Sequence, residues 1–385
     1  VAKKKKVRVE FRKNRQKRTR ANDLTRQFQK GAEPAVDAAS SERVRAKGDL
    51  SRRRTIITQE TEGPSPSGAG ASGDEAPQLA VDLSECLLGR VVRSHGLESV
   101  VETDDGRAHR CGVRRLLRTL AIDARHVVAV GDRVWFRPGG DGQGLIERVE
   151  PRSGSLTRGY RGREQVLVSN VDQLLIVSAF AEPTLKLALI DRYLISAEKG
   201  GVRPVIVLNK ADLVDPAPYQ WVLGMYSQLG YETVPISVET GLGLDRIRAL
   251  LAGRSTAVSG QSGVGKSSLL NAIQPGLKLR VGTVSSASSK GRHTTTNAEL
   301  VRLDNGGYVV DTPGLRQFEL WDVHPRELDG HFIEFRAYAE LCRFPDCSHT
   351  HEGGCAVKDA VHFGQIHAAR FESYRRLHEG QPIEE

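Results

Sequence analysis

The chain has 385 residues, 39% of them hydrophobic and only five of them cysteine, which is enough for two or three buried cores. No apolar run approaches the ~20 residues needed to cross a bilayer, and the basic start VAKKKKVRVE has no apolar signal segment, so the expectation is a cytoplasmic monomer with no membrane partner. The net charge of +9 is uneven: residues 1–60 hold 19 Lys or Arg against 7 Asp or Glu, a net +12, and the remaining 325 carry −3.

Residues 1–82 read as a disordered basic arm and linker. Basic runs alternate with Ala, Gln and Ser, and TEGPSPSGAGASGDEAPQ follows with the composition of a flexible linker. An arm of this charge suits a polyanion, because Lys and Arg gain affinity by displacing counterions from phosphates.

Residues 83–155 offer short β-rich runs punctuated by DDG, PGG and DGQG, a spacing that predicts a small antiparallel barrel of the OB type. Eleven arginines lie between Arg90 and Arg148, but only Trp135 and Phe136 could stack on bases, so RNA contact through phosphate and shape is expected.

From Pro151 the pattern changes to continuous apolar runs. VDQLLIVSAF and VRPVIVLNK flank the amphipathic LKLALIDRYLISAEKGG, and further strands are expected at ETVPIS, STAVSG, AELVRL and GYVVD. Strand, helix and strand with short links predict an α/β domain over residues 156–322, with a parallel sheet covered on both faces. Ligands of such sheets bind at the carboxyl ends of the strands, where each of the following motifs falls.

NKAD follows the strand VIVL. Asp212 can accept from both N1–H and the 2-amino group of guanine, which adenine lacks, while Asn209 and the stem of Lys210 brace the ring. PISVETG gives Ser237 and Val238 the place of a second purine-contacting loop. GQSGVGKS then satisfies G-x-x-x-x-G-K-[ST] between a strand and a helix. Its residues Gly260, Gln261, Ser262, Gly263, Val264, Gly265, Lys266, Ser267 and Ser268 are expected to wrap a triphosphate, with Lys266 on the β and γ groups and Ser267 on Mg²⁺. In the Ser-, Gly- and Thr-rich stretch that follows, GRHTTT supplies Thr295 as a further magnesium ligand. DTPG ends an apolar strand, with Asp311 placed for the magnesium shell and the Gly314 amide for the γ-phosphate.

Residues 323–385 are expected to form a helical zinc-binding domain. CRFPDCSHTHEGGC reads C-x4-C-x-H-x5-C through Cys342, Cys347, His349 and Cys355, a closed set of three thiolates and an imidazole that suits one structural Zn²⁺, with His351 as an alternative ligand. AARFESYRRLHEG beyond it has an amphipathic, basic helical pattern.

The order NKAD, ISVETG, GQSGVGKS, GRHTTT, DTPG resembles the circularly permuted GTPases, and in particular the RsgA (YjeQ) family of small-ribosomal-subunit assembly GTPases, over roughly Gly89 to Leu377. A GTP site gathers loops from one end of a sheet, so their chain order can change if the termini are rejoined elsewhere. The resemblance implies GTP hydrolysis coupled to binding and release of the 30S subunit and its rRNA, and it makes His293 the residue that places the attacking water. Leu315 stands where many GTPases carry a water-orienting glutamine. The alternative is an RNA-binding assembly factor whose guanine-nucleotide site is a sensor with negligible turnover.

Overall fold

A computed structural model of the chain describes residues 4–10, 53–59, 83–95, 98–114, 117, 127–160, 163–277, 298–311 and 327–380. In the arm, β1 (Lys4–Glu10) and β2 (Arg53–Gln59) pair antiparallel, Lys4 opposite Gln59 and Glu10 opposite Arg53. This differs from the disorder expected from composition. The local reason is the β-branched content of the two segments, Val7 and Val9 in one and Thr55 to Thr58 in the other, which favours strands. The ribbon belongs to a unit of its own.

Five strands close the barrel: β3 (Leu87–His95), β4 (Glu98–Thr103), β5 (Ala108–Val113), β6 (Arg133–Pro138) and β7 (Gln143–Val149). Their order is β3-β4-β5-β7-β6 with β6 pairing back onto β3, and only β5 and β7 run parallel, as an OB-fold requires. Val91, Val101, Cys111, Val134, Phe136 and Ile146 fill the interior. Gly144 is needed there, because a Cβ would lie 2.8 Å from both Cys111 Sγ and Phe136 Cδ2.

A hairpin of β8 (Ser155–Tyr160) and β9 (Arg163–Ser169) follows. Its base is tied to the barrel by Asp132, which is fully buried and accepts from Arg152 Nε and Nη2 at 2.8 Å each, from Ser169 Oγ at 2.6 Å and from Ala129 N at 2.7 Å.

The α/β sheet has the order β12-β11-β10-β13-β15-β14, built from β10 (Gln173–Ala179), β11 (Arg203–Asn209), β12 (Glu232–Pro235), β13 (Ser255–Ser259), β14 (Glu299–Arg302) and β15 (Tyr308–Asp311). All pairings within it are parallel except β14 with β15. The apolar runs divide by period 2. Leu174, Ile176, Ile206 and Leu208 pack under α1 (Leu187–Lys199) and α2 (Gln220–Gln228). Leu175, Val177, Val205 and Val207 pack under α3 (Leu244–Leu251) and α4 (Lys266–Ile273). A strand buried on both faces has no polar side to alternate, which explains the unbroken hydrophobic runs.

The C-terminal helices α5 (Arg336–Ala339), α6 (Ala356–His362) and α7 (Ala368–His378) enclose Leu328, Phe332, Phe335 and Tyr374, and this core extends to Ile195 on α1. At the same junction Arg370 is 2% exposed. It donates to Asp191 on α1 and to both carboxylate oxygens of Glu334 at 2.6 and 3.1 Å, while Tyr226 Oη on α2 donates to Asp191 at 2.7 Å. Burial pulls the guanidinium toward neutrality, but Asp191 and Glu334 more than offset it and hold Arg370 above its ordinary value. Removing one partner strands a buried charge. Asp191→Ala is therefore expected to cost about 3–5 kcal/mol, read as a lowered urea midpoint, and Asp191→Ala combined with Arg370→Met and Glu334→Leu, which leaves no buried charge unpaired, is expected to recover most of the loss.

Candidate nucleotide site and metal cluster

Glycines at fixed points let the phosphate loop form. Gly260 leaves β13 at φ +141, and a Cβ there would lie 1.9 Å from the Val177 carbonyl oxygen of β10. Gly263 and Gly265 have φ +83 and +93, a region that glycine enters without steric cost. The first bond of α4 runs from Leu269 N to Gly265 O at 2.8 Å. The amides before it belong to a helix N-terminus, where backbone donors and the helix dipole favour an anion. Lys266 Nζ arches over the loop and donates to the carbonyl oxygens of Gly260 and Gln261, both at 2.6 Å. Ser267 and Ser268 lie in the first turn of α4.

The NKAD loop after β11 is bolted to this one. Asn209, the buried last residue of β11, donates from Nδ2 to the Val264 carbonyl at 2.8 Å, across the end of β10. Gly265 permits the approach, since a Cβ there would sit 2.4 Å from Asn209 Nδ2. Lys210 takes a left-handed conformation (φ +62), and its ammonium donates to the Glu182 carbonyl oxygen of the β10–α1 loop.

Asp212 accepts from Ser237 Oγ at 2.5 Å, and Ser237 is fully buried with its own Oγ accepting from Thr240 N at 3.1 Å. Ala211 N donates to Ile236 O at 3.1 Å, so the loops after β11 and β12 are held together. Val238 packs against the α3–α4 side of the core.

Asp311 ends β15, which lies parallel beside the phosphate-loop strand β13 and so reaches the same sheet edge. Gly314, His293 and Thr295 lie outside the described residues. The structure thus brings Asn209, Lys210, Asp212, Ser237, Val238 and the Gly260–Ser268 loop to one edge, with the backbone of Asp311 two strands from that of Asn209's neighbour β10. The motifs did not point to Glu182, whose contribution is a backbone carbonyl and leaves no side-chain signature.

The second cluster is metal-shaped. One donor atom each from Cys342, Cys347, His349 and Cys355 lie within 4.8 Å of one another, and these four could hold one metal ion. Cys342 Sγ stands 3.9 Å from Cys355 Sγ and 3.5 Å from His349 Nδ1, which is 3.4 Å from Cys355 Sγ. Tetrahedral bonds of about 2.3 Å to sulfur and 2.0–2.1 Å to nitrogen give edges of about 3.8 Å between sulfurs and about 3.6 Å from sulfur to nitrogen, so the set fits. His349 Nε2 faces Asp329 Oδ2 at 3.6 Å, the position from which an outer-shell carboxylate would orient a ligating imidazole. Asp329, in the stretch RELDGH, carries no local motif and can be found only from its place in space.

His351 is set aside as a ligand, because its side chain is 83% exposed with Nε2 turned toward Glu352. His351→Ala is expected to keep the metal content of the purified chain. Cys347→Ser is expected to lower affinity by an order of magnitude or more, both read by metal analysis after dialysis against a graded chelator.

Comparison with known proteins gives a consistent result. The family model described as RsgA GTPase matches residues 149–321. Among curated relatives, a protein of Yersinia enterocolitica named small ribosomal subunit biogenesis GTPase RsgA is 42% identical over 318 residues, 79% of this chain and 88% of that one. One of the same name from Actinobacillus pleuropneumoniae is 40% identical over 307 residues, 78% of this chain and 87% of that one. Among solved structures, YjeQ from Thermotoga maritima superposes with a TM-score of 0.64 at 38% identity, covering 78% of this chain and 100% of that one. YloQ, described as a circularly permuted GTPase, gives 0.60 at 26% identity, covering 82% of this chain and 100% of that one. With the NKAD loop after β11 preceding the GQSGVGKS loop after β13, the α/β domain is a circularly permuted P-loop GTPase, and the chain belongs to the RsgA family of GTP hydrolases.

Proposed function

We propose that the protein binds the small (30S) ribosomal subunit in the cytoplasm and couples GTP hydrolysis to a late step of its assembly and to its own release. The observation that carries this reading is the 42% identity, over 318 residues, to relatives named small ribosomal subunit biogenesis GTPase. The barrel, the C-terminal unit and the +12 arm supply the rRNA contacts. Phe136 lies inside the barrel and Trp135 Nε1 is bound to Glu150 at 2.6 Å, which favours recognition of phosphate and shape over base stacking.

In this reading the Gly260–Ser268 loop holds the phosphates and Lys266 swings from the carbonyls of Gly260 and Gln261 to the β and γ groups. Asp212, aimed by Ser237, takes the guanine edge, and the Asn209 bond to Val264 keeps base and phosphate loops at a fixed spacing. Ser267, Thr295 and Asp311 would hold Mg²⁺, which when bound would supply neutralisation of charge developing on the phosphates. The Gly314 amide senses the γ-phosphate, and His293 places the water. With Leu315 in place of a glutamine, turnover is slow until the subunit stimulates it through His293. Cys342, Cys347, His349 and Cys355 would hold Zn²⁺, and with four protein ligands and no open position the ion would serve a structural role. The working form is a monomer.

Purified small subunits are expected to accelerate GTP turnover by an order of magnitude or more, and large subunits are not; equal stimulation by both would overturn the subunit assignment. Lys266→Ala is expected to lose nucleotide binding. His293→Ala is expected to bind normally yet lose on the order of 10²-fold of the stimulated rate, whereas an unchanged rate would remove His293 from the mechanism.

Ser237→Ala tests base recognition. Freed from its hydroxyl donor, Asp212 is expected to bind GDP about 10-fold more weakly (about 1.4 kcal/mol), measured by displacement of a fluorescent guanine nucleotide, with ATP remaining a poor competitor.

A further inference from the structure

The barrel and the GTPase sheet share one continuous β-structure, joined where β14 meets β3. That ladder is a single residue pair, Glu299 opposite Arg93. Glu299 is also the backbone partner of Asp311 on its other side. Arg93, Glu299 and Asp311 therefore form one row across three strands, from the barrel to the carboxyl end of β15. Both nucleotide-dependent motifs adjoin this row in sequence: the stretch containing His293 and Thr295 enters β14 at Glu299, and DTPG leaves β15 at Asp311.

Side chains reinforce the joint. Arg93 Nη2 donates to Glu299 Oε1. Lower in the sheet Arg90 on β3 donates to Ser255 Oγ, at the first residue of the phosphate-loop strand, and its guanidinium lies 4.8 Å over the ring of Tyr308, the first residue of β15. On β4, Glu102 accepts from Tyr308 Oη at 3.4 Å and faces Arg302 Nη1 at 3.7 Å. The barrel thus grips β13, β14 and β15, the strands whose ends carry the phosphate loop, the magnesium threonine stretch and DTPG.

We propose that Arg93 and Glu299 are positioning residues that couple the barrel to the nucleotide state. A shift of β14 when the γ-phosphate is present is passed to β3 through their ion pair, and by reciprocity a polyanion on the barrel biases the nucleotide loops through the same row. Their side chains are 53% and 45% exposed, and an ion pair so exposed adds little to folding. Its placement beside Asp311 is what gives it an effect. The inference rests on the nucleotide site proposed above, and not on the identity of the ribosomal partner.

Hydrogen exchange on the full chain tests it, comparing GDP with a non-hydrolysable GTP analogue. In the native chain, amides of Leu87–His95 are expected to exchange at rates differing by about fivefold or more between the two nucleotides, the lower bound of ordinary allosteric coupling. In Arg93→Ala and in Glu299→Ala that difference is expected to fall below about twofold, while α4 keeps its nucleotide-dependent protection, which reports an intact site. Equal exchange of β3 in the native chain overturns the proposal. So does retention of the native difference in Arg93→Ala, the variant on the barrel side of the joint. No ribosomal subunit enters the measurement, so its failure leaves the assembly reading standing, and the absence of subunit stimulation would leave this coupling standing.

Discussion

A single hydrogen bond, from Asn209 Nδ2 to the Val264 carbonyl, sets the geometry on which the nucleotide site depends. In the proposed function, base recognition would come from the end of β11 and phosphate binding from the end of β13, with β10 between them. A nucleotide has a fixed distance from purine to phosphate, so the two loops must hold theirs. Asn209 is buried and reaches across β10, and Gly265 must lack a side chain for the bond to form. A residue with a Cβ at Gly265 would push against the amide that holds the loops together, independently of any phosphate contact it also lost.

That bond is indifferent to which loop comes first along the chain, and this is why the site survives permutation. The order of the strands in space, β11, β10, β13, β15, is what the ligand meets. The new connectivity leaves one accessory unit at each end of the GTPase, and each is fixed by a buried charge. Asp132 with Arg152 and Ser169 ties the barrel to the hairpin β8–β9, and Arg370 with Asp191 and Glu334 ties the C-terminal helices to α1. Hydrophobic contacts alone, such as Ile195 against Phe332 and Phe335, would tolerate sliding. A buried ion pair penalises every orientation but the one that satisfies it, which suits units that must transmit a change of state.

Much of this was readable in the sequence, for a physical reason in each case. Val205 to Leu208 read as a doubly covered strand because both faces are apolar, and the fold divides them between the two cores as expected. The turns DDG and DGQG marked barrel strands because glycine reaches positive φ, as Gly106 and Gly142 do. The cluster was legible from its spacing, which pointed to His349 with His351 as the alternative, and burial among the thiols separates the two. Arg370 looked like one face of a basic amphipathic helix, and nothing local distinguishes it from Arg375 and Arg376, which pair with Glu372 at the surface. Its partners lie 179 and 36 residues away. The β1–β2 pairing is invisible for the same reason, because Arg53–Gln59 and Lys4–Glu10 become neighbours only through a long closure that composition cannot reveal.

The arginines of the barrel show how composition and structure can diverge in meaning. Counted along the chain, they suggest a uniformly basic surface. In the fold, Arg90 and Arg93 face the GTPase sheet, Arg107 pairs with Asp105, Arg137 lies near Glu85 and Glu147, and Arg148 pairs with Glu150. Arg110 and Arg133 remain exposed on β5 and β6. Paired arginines contribute less to a long-range field than their number implies, since each acidic partner cancels a charge within a Debye length of about 10 Å. Among the described residues, then, the barrel's arginines add less to a long-range field than their number suggests. The +12 of residues 1–60 lies outside these pairs, and because counterion release needs no fold, lysines and arginines there could gain affinity for phosphate in any conformation. The barrel, by contrast, is joined to β14 and β15 through Arg93, Arg90 and Glu102, so whatever it contacts is met by a part of the chain continuous with the GTPase sheet.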